Sequence, residues 1–373
     1  MASVGGTVAS TRLRRIGPAA ITLAVCSLYL LLRLARANGD PIALADPGTR
    51  YGNGVAGGTE GYDGQFALYI ALDPDPTRVA EKLDVPAYRY QRILYPLLAR
   101  ALAAGDPGTI PWTLIFVNLA AHTAGTLLVC RLLDSYGQPV RYGLAYGLWV
   151  GLVAAVGLDL HEPLAFMLVA AAWWARRNQR TTLGAAWIGL ALFAKETSLI
   201  FWAGWILADV LERNTRRNAL ALALAGLPFL LWQVWLWRAF GSPGIASGGA
   251  MATPFEAIPF RGLWRIGEVD FRVFGLYLLI FGPTVILPSL WGVFSAVGRL
   301  RAGDRSPEAV SLLLHGAGIA FLPFSTFREP LGLLRIATGL VLSIVAFAAR
   351  YGLRRPLNYS LFWTGLLAVL LRS

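Results

Sequence analysis

Charge is scarce in this 373-residue chain: Asp, Glu, Lys and Arg together make up 14% of it, against 56% hydrophobic residues. Soluble domains carry roughly a quarter charged residues, so a water-exposed globule of this size is excluded. Cysteine is scarcer still. Cys26 and Cys130 both fall in apolar stretches, which gives no metal-binding spacing and argues against a disulfide. The common nucleotide and nucleophile signatures are missing too: there is no P-loop, no Rossmann glycine pattern and no G-x-S-x-G. An ATP-driven or nucleotide-sugar enzyme is therefore poorly supported. The formal net charge of +12 would suggest nucleic acid in a soluble protein. Here its distribution has another meaning, and no nucleic-acid partner is expected.

What the chain has in abundance is membrane sequence. Its apolar runs read as about eleven spans. They lie near 16–35, 110–130, 142–158, 162–175, 181–194, 197–211, 218–239, 272–298, 308–324, 332–349 and 357–371. Thirteen Trp and thirteen Tyr suit the membrane–water boundary, where the ring is in the apolar layer and the polar tip in water. The expected fold is an all-α polytopic bundle, one domain over 1–373, with a large loop at 37–109 between its first two spans. The run from Ile16 to about Leu34 is too long for a signal peptide and reads as a retained first span. Basic residues fix the orientation. Arg12, Arg14 and Arg15 share one side with Arg131, Arg141, Arg176, Arg177, Arg180, Arg213, Arg216 and Arg217, and with the clusters at 299–305 and 350–355. That side is cytoplasmic, in a plasma (inner) membrane. Arg33 and Arg36, at the outer end of the first span, are the main dissent.

The unusual polar groups then fall on the other side. Asp63 sits among aromatics and glycines in Gly61-Tyr62-Asp63-Gly64-Gln65-Phe66, with Tyr62 and Phe66 offering flat surfaces for a sugar ring. Residues 65–72 read as a short helix lying on the membrane, and 88–103 as a second amphipathic helix kinked at Pro96. Arg89 and Arg92 share a face of that second helix and suit a lipid phosphate, or else snorkel or pair with Asp84. Lys195 and Glu196 lie close to hydrocarbon and should face the bundle interior, as a mutual or cross-helix ion pair or as a substrate contact. Arg328, Glu329 and Arg335 are further phosphate candidates. Asp159, His161 and Glu162 could line an acceptor pocket or hold a metal, although they lack a metal-ligand spacing. His122 and His315 read as packed within spans.

The Gly61–Phe66 stretch, the Ile70-Ala71-Leu72-Asp73-Pro74 after it, and Arg89-Tyr90-Gln91-Arg92-Ile93-Leu94-Tyr95-Pro96-Leu97-Leu98 resemble bacterial membrane proteins of cell-surface glycopolymer formation. So does Arg328-Glu329-Pro330-Leu331-Gly332-Leu333-Leu334-Arg335. More distantly, the chain is similar to the GT-C superfamily of polytopic glycosyltransferases, which includes the mannosyltransferases of glycosylphosphatidylinositol assembly. The resemblance implies a polyprenyl-phosphate sugar donor, a glycan or lipid acceptor, and an active site on the extracytoplasmic face. By the same resemblance Asp63 is the catalytic acidic residue that acts on the acceptor, while the chemistry of the residues themselves makes Tyr62, Gln65, Arg89, Arg92, Lys195, Glu196, Arg328, Glu329 and Arg335 the candidate substrate and phosphate contacts. Many GT-C enzymes carry two acids where this chain has Asp63-Gly64-Gln65. Asp73-Pro74-Asp75 has the pair spacing but follows the short helix, and this leaves dependence on a divalent metal open. Two other readings use the same residues differently: a transporter or flippase for a lipid-linked glycan, and a non-catalytic protein of envelope assembly.

Overall fold

The structure, a computed structural model, describes residues 5–212 and 215–372; Arg213 lies outside the described residues. It is 78% helical, and among the described residues there are no strands. Among the described residues five helices are long and apolar enough to cross a membrane: Ile16–Arg36, Ile110–Ser135, Arg216–Phe240, Phe271–Arg301 and Pro330–Arg350. A sixth crossing results if Val140–Gly147 and Val150–Gly157, bent by 54° at their junction, count as one. The protein is an integral membrane protein by these apolar helices. The other segments expected to span are shorter. Thr181–Ala194 has 14 residues, about 21 Å at 1.5 Å per residue, against a hydrocarbon core of about 30 Å.

Side-chain exposure sorts these helices by their surroundings. Arg216–Phe240 leaves Leu220, Leu224 and Leu231 about three-fifths exposed, as expected of a helix flanked by lipid. Thr338–Arg350, by contrast, has only Arg350 outside the buried set and runs through the centre. Trp149, Trp173 and Trp205 are fully buried elsewhere in the core, and the Trp149 indole donates to the carbonyl of Leu334 at 2.8 Å.

The 37–109 loop is folded rather than loose, and two of its expected helices need correction. Gly64–Leu72 does not lie on a membrane surface, because Gly64 through Ala71 are all buried inside the protein. Its residues are apolar on nearly every side, the pattern of a helix surrounded by protein. The stretch from Tyr88 to Ala103 is two helices, Pro86–Tyr90 and Leu94–Leu102, with turns between them. The break therefore precedes Pro96, which falls in the first turn of the second helix, where its missing N–H removes no bond.

Candidate active site

Gly64 sets the position of Asp63. A Cβ at Gly64 would stand 2.0 Å from the carbonyl oxygen of Leu158, so only glycine lets this helix start against the end of Val150–Gly157. Asp63 is thereby held at the mouth of a cavity of about 520 Å3. Separate stretches of the chain line it, among them the Tyr62–Phe66 turn, the Tyr88–Arg92 segment, Lys195–Glu196, Glu162 and the Arg328–Arg335 segment.

Ion pairs join these stretches. The Asp63 carboxylate accepts from Arg89 Nη1 at 2.8 Å and from Arg335 Nη2 at 2.9 Å. Arg89 also bonds both oxygens of Asp84, at 2.7 and 2.9 Å, so its expected pairing with Asp84 exists alongside the bridge to Asp63. Arg335 reaches Glu162 Oε1 at 2.5 Å and the Tyr62 hydroxyl at 2.9 Å. Lys195 bonds the same Glu162 oxygen at 2.6 Å, while Arg92 grips Glu196 with two bonds of 2.7 and 2.6 Å. Lys195 and Glu196 therefore pair across helices and not with each other. Tyr62 also donates to Glu329. Arg335, although buried, and Arg328, at the exposed end of Phe324–Arg328, both line the cavity, but Glu329 separates their two helices.

The electrostatics follow from this crowding. Burial pushes the Asp63 carboxyl up, but Arg89, Arg335, Arg92 and Lys195 together outweigh it and hold it well below the usual carboxylate range. Glu196 follows the same logic: burial raises it, and Arg92 and Lys195 bring it down to about 2. Burial lowers Lys195, with Arg92 and Arg335 adding to the effect against the attraction of Glu162. Asp63 is therefore ionised, with one guanidinium already on each of its oxygens.

Other expected residues are tied up by their neighbours or lie outside the cavity. Gln65 is buried and holds the loop: its Oε1 accepts from the Gly48 N–H at 3.1 Å, and its Nε2 donates to the Glu60 carbonyl at 2.7 Å. Both ends of its amide are thus committed. Phe66 is also buried and covered by the Arg89 guanidinium at 4.2 Å, so Tyr62 is the more open ring. Asp159 and His161 are buried outside the cavity, and of that trio only Glu162 lines it. Asp159 adopts a left-handed φ of 50° just before the helix that carries Glu162. Its nearest hydroxyl, Tyr95, spends its one proton on the Leu114 carbonyl at 3.0 Å. Asp73 and Asp75 hold Arg78 and cap a short helix instead of facing the cavity. His122 and His315 are buried against backbone carbonyls, at 2.8 and 2.9 Å.

A divalent metal does not fit this donor set. Asp63, Glu162 and Glu196 are each engaged by Arg or Lys, and among the described residues no three His, Cys, Asp or Glu side chains gather into a metal-binding group. Two contributors escaped the sequence reading. Tyr88 stacks on Arg92 at 4.3 Å, and the segment Gly249–Ala252 covers one side of the cavity, with the Ala250 N–H donating to Asp84 at 3.1 Å. The latter belongs to the Gly- and Pro-rich loop 241–270, whose composition signalled a loop but not its docking site. No protein-family model, curated protein or solved structure matches this chain.

Proposed function

We propose that the chain is a membrane glycosyltransferase of GT-C type, moving a sugar from a polyprenyl-phosphate donor to a glycan or lipid acceptor. The observation that carries this reading is the convergence of Asp63, Arg89, Arg92, Lys195 and Arg335 around one cavity at one end of a membrane bundle. In this reading the shorter apolar helices complete about eleven crossings. The basic residues at the far end mark the cytoplasmic side, and the cavity faces outward.

The ion pairs give the chemistry an order. Among the described residues Arg328 is the cavity-lining cation with no carboxylate partner, so it offers the first contact for the donor phosphate. That phosphate then competes with Asp63 for Arg89 and Arg335, and each guanidinium can hold two of its oxygens. A carboxylate relieved of one guanidinium becomes a stronger base. Asp63 takes the proton of the acceptor hydroxyl as its oxygen attacks the anomeric carbon. The bond from that carbon to the phosphate oxygen breaks, and the electron pair leaves on the phosphate, where the arginines stabilise it. Inversion at the anomeric carbon is the expectation from the resemblance.

Mass spectrometry of glycans and lipid-linked sugars, on cells lacking the protein and complemented with wild type or Asp63→Asn, tests this reading. The expected result is loss of a surface sugar and build-up of its donor, reversed by wild type alone. Full rescue by Asp63→Asn would transfer the case to an envelope scaffold or a carrier. A carrier for a lipid-linked glycan has one structural observation in its favour, the broken helix at Val140–Gly157. Against it, the ion pairs lie toward the ends of the bundle and not at its middle.

A further inference from the structure

We infer that a second cavity beside the first seats the phosphate headgroup of a membrane-dissolved amphiphile, with Arg33 as its principal contact. The cavity encloses about 530 Å3 where the first helix ends against Val150–Gly157 and the C-terminal turn. Ala154, Leu158, Leu331 and Leu370 give it apolar walls, and Arg33 and Arg36 supply cations. Asp46, on the exposed rim, is the opposing charge.

Three observations select the occupant. First, Arg33 is held in place by a bare stretch of backbone. A Cβ at Gly157 would come within 2.4 Å of the Tyr29 ring and 3.2 Å of Arg33 Cδ, so glycine is what lets both side chains lie there. Second, the buried carboxyl that feels Arg33, Asp159, answers that charge only weakly. Burial pushes Asp159 up to about 8 against the pull of Arg33, so at neutral pH it is largely protonated. Third, the same helix exposes Leu28, Leu31 and Leu32 on the neighbouring face, which in a membrane meets lipid. A free inorganic anion has no use for the apolar walls, and a neutral lipid has none for the arginines. A phosphate on a hydrocarbon chain uses both.

Tyr62 lines both cavities, so the second amphiphile would stand one side chain away from Asp63. The role of acceptor seat rests on the transferase reading; the binding itself does not.

Native mass spectrometry of the purified full chain, titrated in separate arms with a polyprenyl monophosphate and with phosphatidylglycerol, tests this directly. Retention of either by wild type, reduced at least about tenfold by Arg33→Gln and kept by Arg33→Lys, is the expected result. The better-retained arm identifies the source of the phosphate. Retention that is unchanged in Arg33→Gln, absent in both arms, or displaced by millimolar inorganic phosphate would overturn the proposal. Leu370→Asp, which places a charge in the apolar wall, is measured alongside and is expected to lose retention if Arg33→Gln does not fold. Because retention is read without turnover, lipid binding that persists in a chain without transfer would sink the transferase reading alone. Asp63-dependent transfer without Arg33-dependent retention would sink this proposal alone.

Discussion

The two ends of the bundle both bury ion pairs, and they bury them differently. At the cavity end, Asp63 is shared by Arg89 and Arg335, and Glu162 by Arg335 and Lys195, so carboxylates link several segments. At the other end, Arg176 meets Asp209 alone at 2.9 Å, and Glu308 takes the Trp173 indole at 3.2 Å with Arg350 at 3.4 Å. The cavities differ in the same sense, about 520 Å3 against 220 and 150 Å3. A lone buried pair works as a staple, because removing one member strands the other. A shared carboxylate can give up one cation to a ligand and remain compensated. That exchange is what an anionic substrate needs, and only the cavity end is built for it.

Substitutions separate the two ends most sharply at the carboxylates. Asp63→Asn is expected to lower transfer roughly 100- to 10,000-fold, the usual worth of a general base, with a smaller loss of stability than Arg335→Ala, because Arg89 keeps Asp84 and Arg335 keeps Glu162. Asp209→Ala should do the reverse, costing about 3–5 kcal/mol of stability by stranding Arg176 while transfer by the folded fraction is unchanged. Transfer assays and denaturation of the same preparations read both effects. Arg335→Ala joins the two behaviours, because Asp63 and Glu162 each lose a cation; a stability loss of about 3–5 kcal/mol should accompany lost transfer. A smaller effect is expected from Arg328→Ala. Losing one charged contact to the donor should raise KM about tenfold or more, with stability intact because the side chain is exposed.

The remaining effect concerns pH, where two acids of this region act with opposite sign. Asp63 is held low, so its contribution is present above about pH 4 and is lost as pH falls toward its depressed value. Asp159 is held up to about 8, so the folded chain binds a proton that the unfolded chain releases near pH 4. Its contribution is full below that pH and is lost as pH rises toward 8. Asp159→Asn should therefore raise the melting temperature in detergent, by an amount that widens from pH 5 to pH 8. A constant difference across that range would remove Asp159 from the account.

Much of the site was legible because polar residues are conspicuous in apolar sequence. Asp63, Arg89, Arg92, Lys195, Glu196 and Arg335 stood out for that reason, and charge counting put them on one side. Their pairing was not legible. Lys195 beside Glu196 reads as a natural couple, yet its partner is Glu162, chosen by how three helices meet. Asp159 and Glu162 look equivalent in sequence, yet only Glu162 lines the cavity. The surface helix expected at 65–72 failed for a related reason: an apolar segment reads alike whether lipid or protein covers it. Span count suffers from the same ambiguity, since helices such as Thr181–Ala194 are apolar enough to cross but short.

The central claim is tested most directly by sugar transfer in liposomes containing the purified chain and a panel of polyprenyl-phosphate sugars. The account predicts that wild type releases polyprenyl phosphate from one of them, and that equally folded Asp63→Asn does not. Release by Asp63→Asn at the wild-type rate would contradict it.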